Sequence, residues 1–211
     1  LLFKKQNKTK QNMKSIADYI MVMEEILPEN MCESLIEEYE EQTKEIKVET
    51  KGCFPIVDVF NNFEFQRFQF STISLLQTIN EHYLESVYST NITKDSEYKT
   101  PKDFEFPLIQ KHSPDSKPSG WQVDCSDSLT SRRSHTIILF LNDLEEGGEL
   151  VFDVDGESVK LKPKAGSAVC FPSSWMLPYK ILSPISGNKY TIISRSLVRN
   201  VIDDIPSHNK Y

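Results

Sequence analysis

From Met31 to Tyr39 apolar side chains recur three and four positions apart (Met31, Cys32, Leu35, Ile36, Tyr39), while Glu33, Glu37, Glu38, Glu40 and Glu41 take the other side. That period predicts a helix with one face on a core. The acidic run reads as its solvated face and not as a metal site. Pro28 stands at the expected first turn, where its missing N–H costs no hydrogen bond, and the apolar run Ile16–Met23 before it predicts a short strand. Gly52–Phe70 is aromatic and irregular. Thr72–Tyr88 then returns to helical spacing through Ile73, Leu76, Ile79, Tyr83 and Val87, a second amphipathic helix. Ser89–Lys102 has no apolar period and predicts a surface loop.

Beyond Phe104 the apolar period falls towards two, and strands are predicted over Phe106–His112, Ser134–Leu141, Leu150–Val154, Ser158–Leu161, Ser167–Phe171 and Tyr190–Val198. Asp155-Gly156 is a hairpin signal, because a type I′ turn needs positive φ at both central residues. Gly147-Gly148 and Lys164-Ala165-Gly166 mark further turns. Short antiparallel strands beside two helices predict an α+β, mainly β fold. The expected form is a jelly roll, a cupin-like double-stranded β-helix buttressed by two or more N-terminal helices.

A chain of 211 residues makes one domain with a sizeable core. Residues 1–12 are set aside as a disordered or non-native leader, since Met13 reads as a natural start. The domain is then 13–211: strand and helix support over 13–103, barrel core over 104–199 and tail over 200–211. The net charge of -7 argues against a phosphate-binding surface and so against nucleic acid as partner. No apolar run is long enough to span a bilayer, so no membrane is expected. Cys32, Cys53, Cys125 and Cys170 are scattered without metal or disulfide spacing, which points to free thiols and a cytoplasmic setting.

The candidate chemistry lies in the strand-rich half. A non-haem Fe(II) oxygenase holds its metal with two imidazoles and a carboxylate on one face, usually as HxD and a distant His. Here Trp121-Gln122-Val123-Asp124 has the spacing and Pro178-Tyr179-Lys180 follows. The blocks "IQKHSPDSKPSGWQVD" from Ile109, "LFLNDLEEGGELVF" from Leu139, "KPKAGSAVCFPSSW" from Lys162 and "LPYKILSPISGNKYTIIS" from Leu177 resemble the prolyl-4-hydroxylase-like branch of the 2-oxoglutarate/Fe(II)-dependent dioxygenases, especially small bacterial and phage members. "YIMVMEEILPENMCESLIEEYEE" from Tyr19 adds a weaker match.

The resemblance implies Fe(II) and 2-oxoglutarate as cofactors. It places Gln122, Asp124 and Tyr179 at the metal-ligand positions, Lys189 as anchor for the far carboxylate of 2-oxoglutarate, and His112 facing that cosubstrate. A second register would put Lys180 at the distal ligand position. Only Asp124 and Lys189 keep the expected chemistry: a neutral Gln oxygen is a weak donor, and a phenol must first lose a proton with a pKa near ~10. His112 and His135 lie on neighbouring candidate strands within reach of Asp124 from a different direction, although His135, opening the apolar run "HTIILFLN", reads first as structural. His82 and His208 read as surface residues, and Trp121, Trp175 and Phe171 as core or pocket wall. Two functions follow. One is an oxygenase that hydroxylates a prolyl, peptide or small-molecule acceptor, with acceptor loops near Ser113–Gly120 and Lys47–Phe70, as 2-oxoglutarate is decarboxylated. The other is a catalytically inactive oxygenase-fold protein, a pseudoenzyme that has lost iron and acts as a binding module; 2-oxoglutarate or another dicarboxylate is the expected partner.

Overall fold

The computed structural model describes residues 15–44, 56–58, 65–87 and 103–198. Its strands are β1 (Met21–Met23), β2 (Val57–Asp58), β3 (Asp103–Phe104), β4 (Leu108–His112), β5 (Arg133–Phe140), β6 (Leu150–Val154), β7 (Glu157–Leu161), β8 (Ala168–Pro172), β9 (Tyr179–Ile181) and β10 (Lys189–Leu197). They form two antiparallel sheets. The larger runs β1-β8-β5-β10-β4-β2 with β3 also on β10, and the smaller runs β7-β6-β9. This is the predicted jelly roll.

The central strands are apolar on both faces because both faces are covered. On β5, Ile137 and Leu139 join a cluster with the helices, whereas Ile138 and Phe140 join the cluster between the sheets. The same alternation divides Ala168 and Cys170 from Val169 and Phe171 on β8, and Tyr190 and Ile192 from Ile193 on β10. Each buried aliphatic or aromatic side chain contributes roughly 1.5–3 kcal/mol by leaving water. A one-residue slip of any of these strands would exchange the two sets.

Two helices close the outer face. Helix α1 (Glu29–Thr43) buries Cys32, Leu35 and Tyr39, with Met31 and Ile36 partly buried against the same cluster. Helix α2 (Gln66–Val87) buries Phe68, Thr72, Leu76, Ile79, Tyr83 and Val87 along one stripe. It begins ahead of the predicted Thr72 because Phe68 extends that stripe by a turn. Polar ties fix α1 to the sheet: Glu40 accepts from Lys111 Nζ at 2.8 Å and from the Tyr190 hydroxyl at 2.5 Å. No described helix is long and apolar enough to cross a membrane.

Other boundaries also move. Ile16–Met23 is not one strand: Ser15 and Asp18 form a capping box on a 3-10 turn, Ile16–Tyr19, and only Met21–Met23 pairs with β8. Strand β9 lies outside the predicted set, its three residues being too few to display a period. Asp155 and Gly156 both have positive φ (53° and 85°), as the hairpin requires. The leader 1–12, the loop Ser89–Lys102, the tail from 200, Cys53, His208 and most of Lys47–Phe70 lie outside the described residues.

Candidate functional site

On β10 the residues at odd positions from Lys189 to Arg195 face the space between the sheets, as Ile193 does in its cluster. The register sets their neighbours: Arg195 is opposite Thr136, Ile193 opposite Ile138 and Leu108, and Lys189 opposite His112. Partners in an antiparallel pair present their side chains to the same face. The inner wall therefore has an ionic group at each end, separated by the apolar row of Ile193, Ile138 and Leu108 and the mixed row of Thr191, Phe140 and Gln110.

At the Arg195 end stands Asp124, only 7% exposed. Its segment is stitched in place by backbone bonds: Gln122 and Tyr179 exchange N–H···O bonds of 2.8 and 2.9 Å, and Cys125 N donates to Ser173 O at 2.8 Å. Asp124 Oδ1 accepts from Arg195 Nη2 at 2.8 Å. Asp124 Oδ2 accepts from Thr136 Oγ1 at 2.6 Å and from the Tyr179 hydroxyl at 3.0 Å. Arg195 Nη1 lies 3.8 Å from Glu105, which accepts from Arg133 Nε at 2.6 Å, and Arg133 Nη1 returns to the Asp124 carbonyl at 2.9 Å. Two guanidiniums and two carboxylates thus form a closed, neutral ring.

Tyr179 is fully buried against Phe171, with ring centroids 4.8 Å apart. Burial and the adjacent Asp124 charge push its phenol well above the ordinary value, so it stays a neutral donor. Burial works against the Arg195 charge, but the Asp124 carboxylate outweighs it and holds the guanidinium above its usual value. Of the two registers, the structure brings Tyr179 to Asp124. Lys180 instead lies over the Trp121 ring at 4.5 Å.

Fe(II) would need imidazoles and a carboxylate with free lone pairs on one face. These residues do not fit it. Gln122 is exposed, Tyr179 is a neutral phenol, and Asp124 is committed to three donors within the chain. Among the described residues no group of three His, Cys, Asp or Glu side chains could hold a metal ion. Neither candidate histidine joins Asp124. His135 lies on the helix face of β5, its ring tilted against that of Tyr83 with centroids 4.8 Å apart, where burial lowers its pKa to about 3. His112 is beside Lys189 at the far end of β10.

That far end is different in kind. Lys189 is 4% exposed, donates to the Gly148 carbonyl and lies over the Phe140 ring at 4.5 Å. Among the described residues it forms no ion pair with a carboxylate. Burial lowers its pKa to about 8, partly opposed by the charge of Glu149. His112 Nε2 is buried without a hydrogen-bond partner. Burial and then the Lys189 charge lower the His112 pKa, keeping the ring neutral. Gly148 makes the arrangement possible: its φ is +72°, and a Cβ there would stand 3.0 Å from Lys189 Cδ.

Sequence reading missed Thr136 and Arg195. Arg195 had a signal, since it is the one charge inside "YTIISRSLV" and lies at even spacing from Lys189. Trp121 and Trp175, expected as core or pocket wall, are 47% and 75% exposed, because both lie in the irregular segments beside β9 and not on a strand. Phe171 is core as expected, and His82 is exposed.

Residues 109–194 match the family model of the 2OG-Fe(II) oxygenase superfamily. A comparison with curated proteins gives no match. Among solved structures, a prolyl-4-hydroxylase of Pseudomonas putida superposes with a TM-score of 0.61 at 17% identity, covering 88% of this chain and 98% of that one. The viral collagen prolyl hydroxylase of Paramecium bursaria Chlorella virus-1, in its 2-oxoglutarate complex, gives 0.60 at 18% identity over 86% and 97%. A prolyl hydroxylase of Trichoplax adhaerens, bound to a hypoxia-inducible-factor peptide, gives 0.60 at 11% over 86% and 84%. The barrel segment therefore carries the sequence pattern of the 2OG-Fe(II) oxygenase superfamily, on the fold shared by these prolyl hydroxylases.

Proposed function

We propose that this oxygenase-like chain is a metal-independent binding module for a small dicarboxylate of the 2-oxoglutarate or succinate type. The observation that carries the reading is the buried Lys189 ammonium, which has no carboxylate partner among the described residues and shares its face with the unpartnered His112 Nε2. A buried charge is costly unless paired. An ammonium has three donors, and the Gly148 carbonyl uses one. An incoming carboxylate would take the others and accept from His112 Nε2 when that nitrogen carries the ring proton. The committed Asp124 supports the metal-free half of the reading. The 2-oxoglutarate bound by the viral collagen prolyl hydroxylase supports the ligand class.

The rival reading is a 2-oxoglutarate/Fe(II) oxygenase acting on a peptide or prolyl acceptor. It is favoured by the family match and by the peptide-bound Trichoplax neighbour. Calorimetric titration of the intact chain with succinate and with 2-oxoglutarate, in chelator and then in Mn(II), separates the two. Binding in chelator that is lost in Lys189→Met is the expected result. Binding of 2-oxoglutarate only after Mn(II) is added would overturn the proposal in favour of the oxygenase.

A further inference from the structure

The donors around Asp124 do more than fail to suit a metal. We propose that Arg195 is the resident cation of this barrel: its guanidinium brings to Asp124 the positive charge that a divalent ion would bring in an oxygenase. The inference rests on the metal-free reading above, and it adds a second barrier to metal that is independent of the residues at 122 and 179.

The geometry carries it in three steps. A carboxylate buried to 8% side-chain exposure needs a cation, and Arg195 supplies one at 2.8 Å from its own 14% exposed side chain. The reach is set by register: Arg195 is the strand partner of Thr136, so both side chains stand on the inner face and meet the two oxygens of Asp124 from one side. Finally, the ring through Glu105 and Arg133 is electrically neutral. A divalent ion beside Asp124 would add two uncompensated charges next to a fixed guanidinium, in a site where little water screens them. Restoring imidazoles alone leaves that barrier standing.

Three chains test this, each carrying Gln122→His and Tyr179→His, with Arg195 kept, Arg195→Lys or Arg195→Met. They are titrated with Mn(II) by calorimetry, and their thermal unfolding is followed with and without the ion. The Met chain should bind Mn(II) at least ~10-fold more tightly than the Arg chain, the effect expected from lifting one close like charge. The Lys chain, which keeps the charge, should resemble the Arg chain. Equal affinity in the Arg and Met chains would overturn the proposal. If the Met chain folds only with help, Mn(II) should restore its unfolding transition and leave that of the Arg chain unmoved; absence of that rescue also overturns it. Failure of the dicarboxylate reading shows separately, in the succinate titration of the unaltered chain.

Discussion

Arg195 and Lys189 are both cations on the inner face of β10, yet their surroundings are opposite. Arg195 is closed into a ring with Asp124, Glu105 and Arg133 in which each charge faces an opposite one, although its buried Nε has no hydrogen-bond partner. Lys189 lies deeper, over an aromatic ring and against a backbone carbonyl, with no carboxylate partner among the described residues. The lesson is that burial of a charge is not by itself a sign of function. Where the chain completes the ionic bonding itself, the group is structural and breaking it is costly. Where the bonding is left incomplete, as at Lys189, a partner from outside the chain is proposed.

The comparison is broken most severely at the closed end. Arg195→Met leaves the Asp124 carboxylate without its guanidinium, while Glu105 keeps that of Arg133, and should cost about 3–5 kcal/mol in urea unfolding, the usual penalty for an orphaned buried charge. A loss below about 1 kcal/mol would mean that the ring contributes little. Lys189→Met should do the reverse: stability near that of the unaltered chain, but dicarboxylate affinity lower by about 10- to 100-fold, the value of a charged hydrogen bond. Unchanged affinity in calorimetry would take Lys189 out of the site.

The charge state of Lys189 gives a subtler test. Its pKa is lowered to about 8, so the side chain is cationic below that pH and neutral above it. Dicarboxylate affinity should then be flat below about pH 8 and fall towards ~10-fold per pH unit above it. Between about 8 and 10.5 the folded chain holds fewer protons than the unfolded one, so the stability of the unliganded protein should rise across that window. Lys189→Met should abolish both trends. Gly148→Ala is the mildest change. A side chain at φ +72° costs about 1–2 kcal/mol, and its Cβ crowds Lys189, so affinity should drop a few-fold. Full binding by that variant would show that Lys189 does not depend on the turn for its position.

Much of this was legible along the chain because it depends on local period and turn chemistry. The two-faced strands β5, β8 and β10, the apolar stripe of α1 and the Asp155-Gly156 hairpin all follow from residues close in sequence. The fate of Gln122 and Tyr179 was less legible. The resemblance places them where histidines are expected, but the sequence leaves two registers open, with Tyr179 or Lys180 in the distal position. The bridge of Tyr179 to Gln122 and the pairing of β9 with β6 set Tyr179 against Asp124, and both join residues far apart in the chain.

The sequence by itself determined the class of fold and the identity of the groups that could act, because the period of apolar residues selects helix or strand and a side chain carries its chemistry wherever it lies. Only the tertiary structure decided which groups answer one another. Asp124, Thr136, Tyr179 and Arg195 come from four separate segments, and whether a carboxylate is free for a ligand or spent on a neighbour depends on distances of a few ångströms between them. Electrostatic and hydrogen-bond energies change over that range, and no local pattern encodes it.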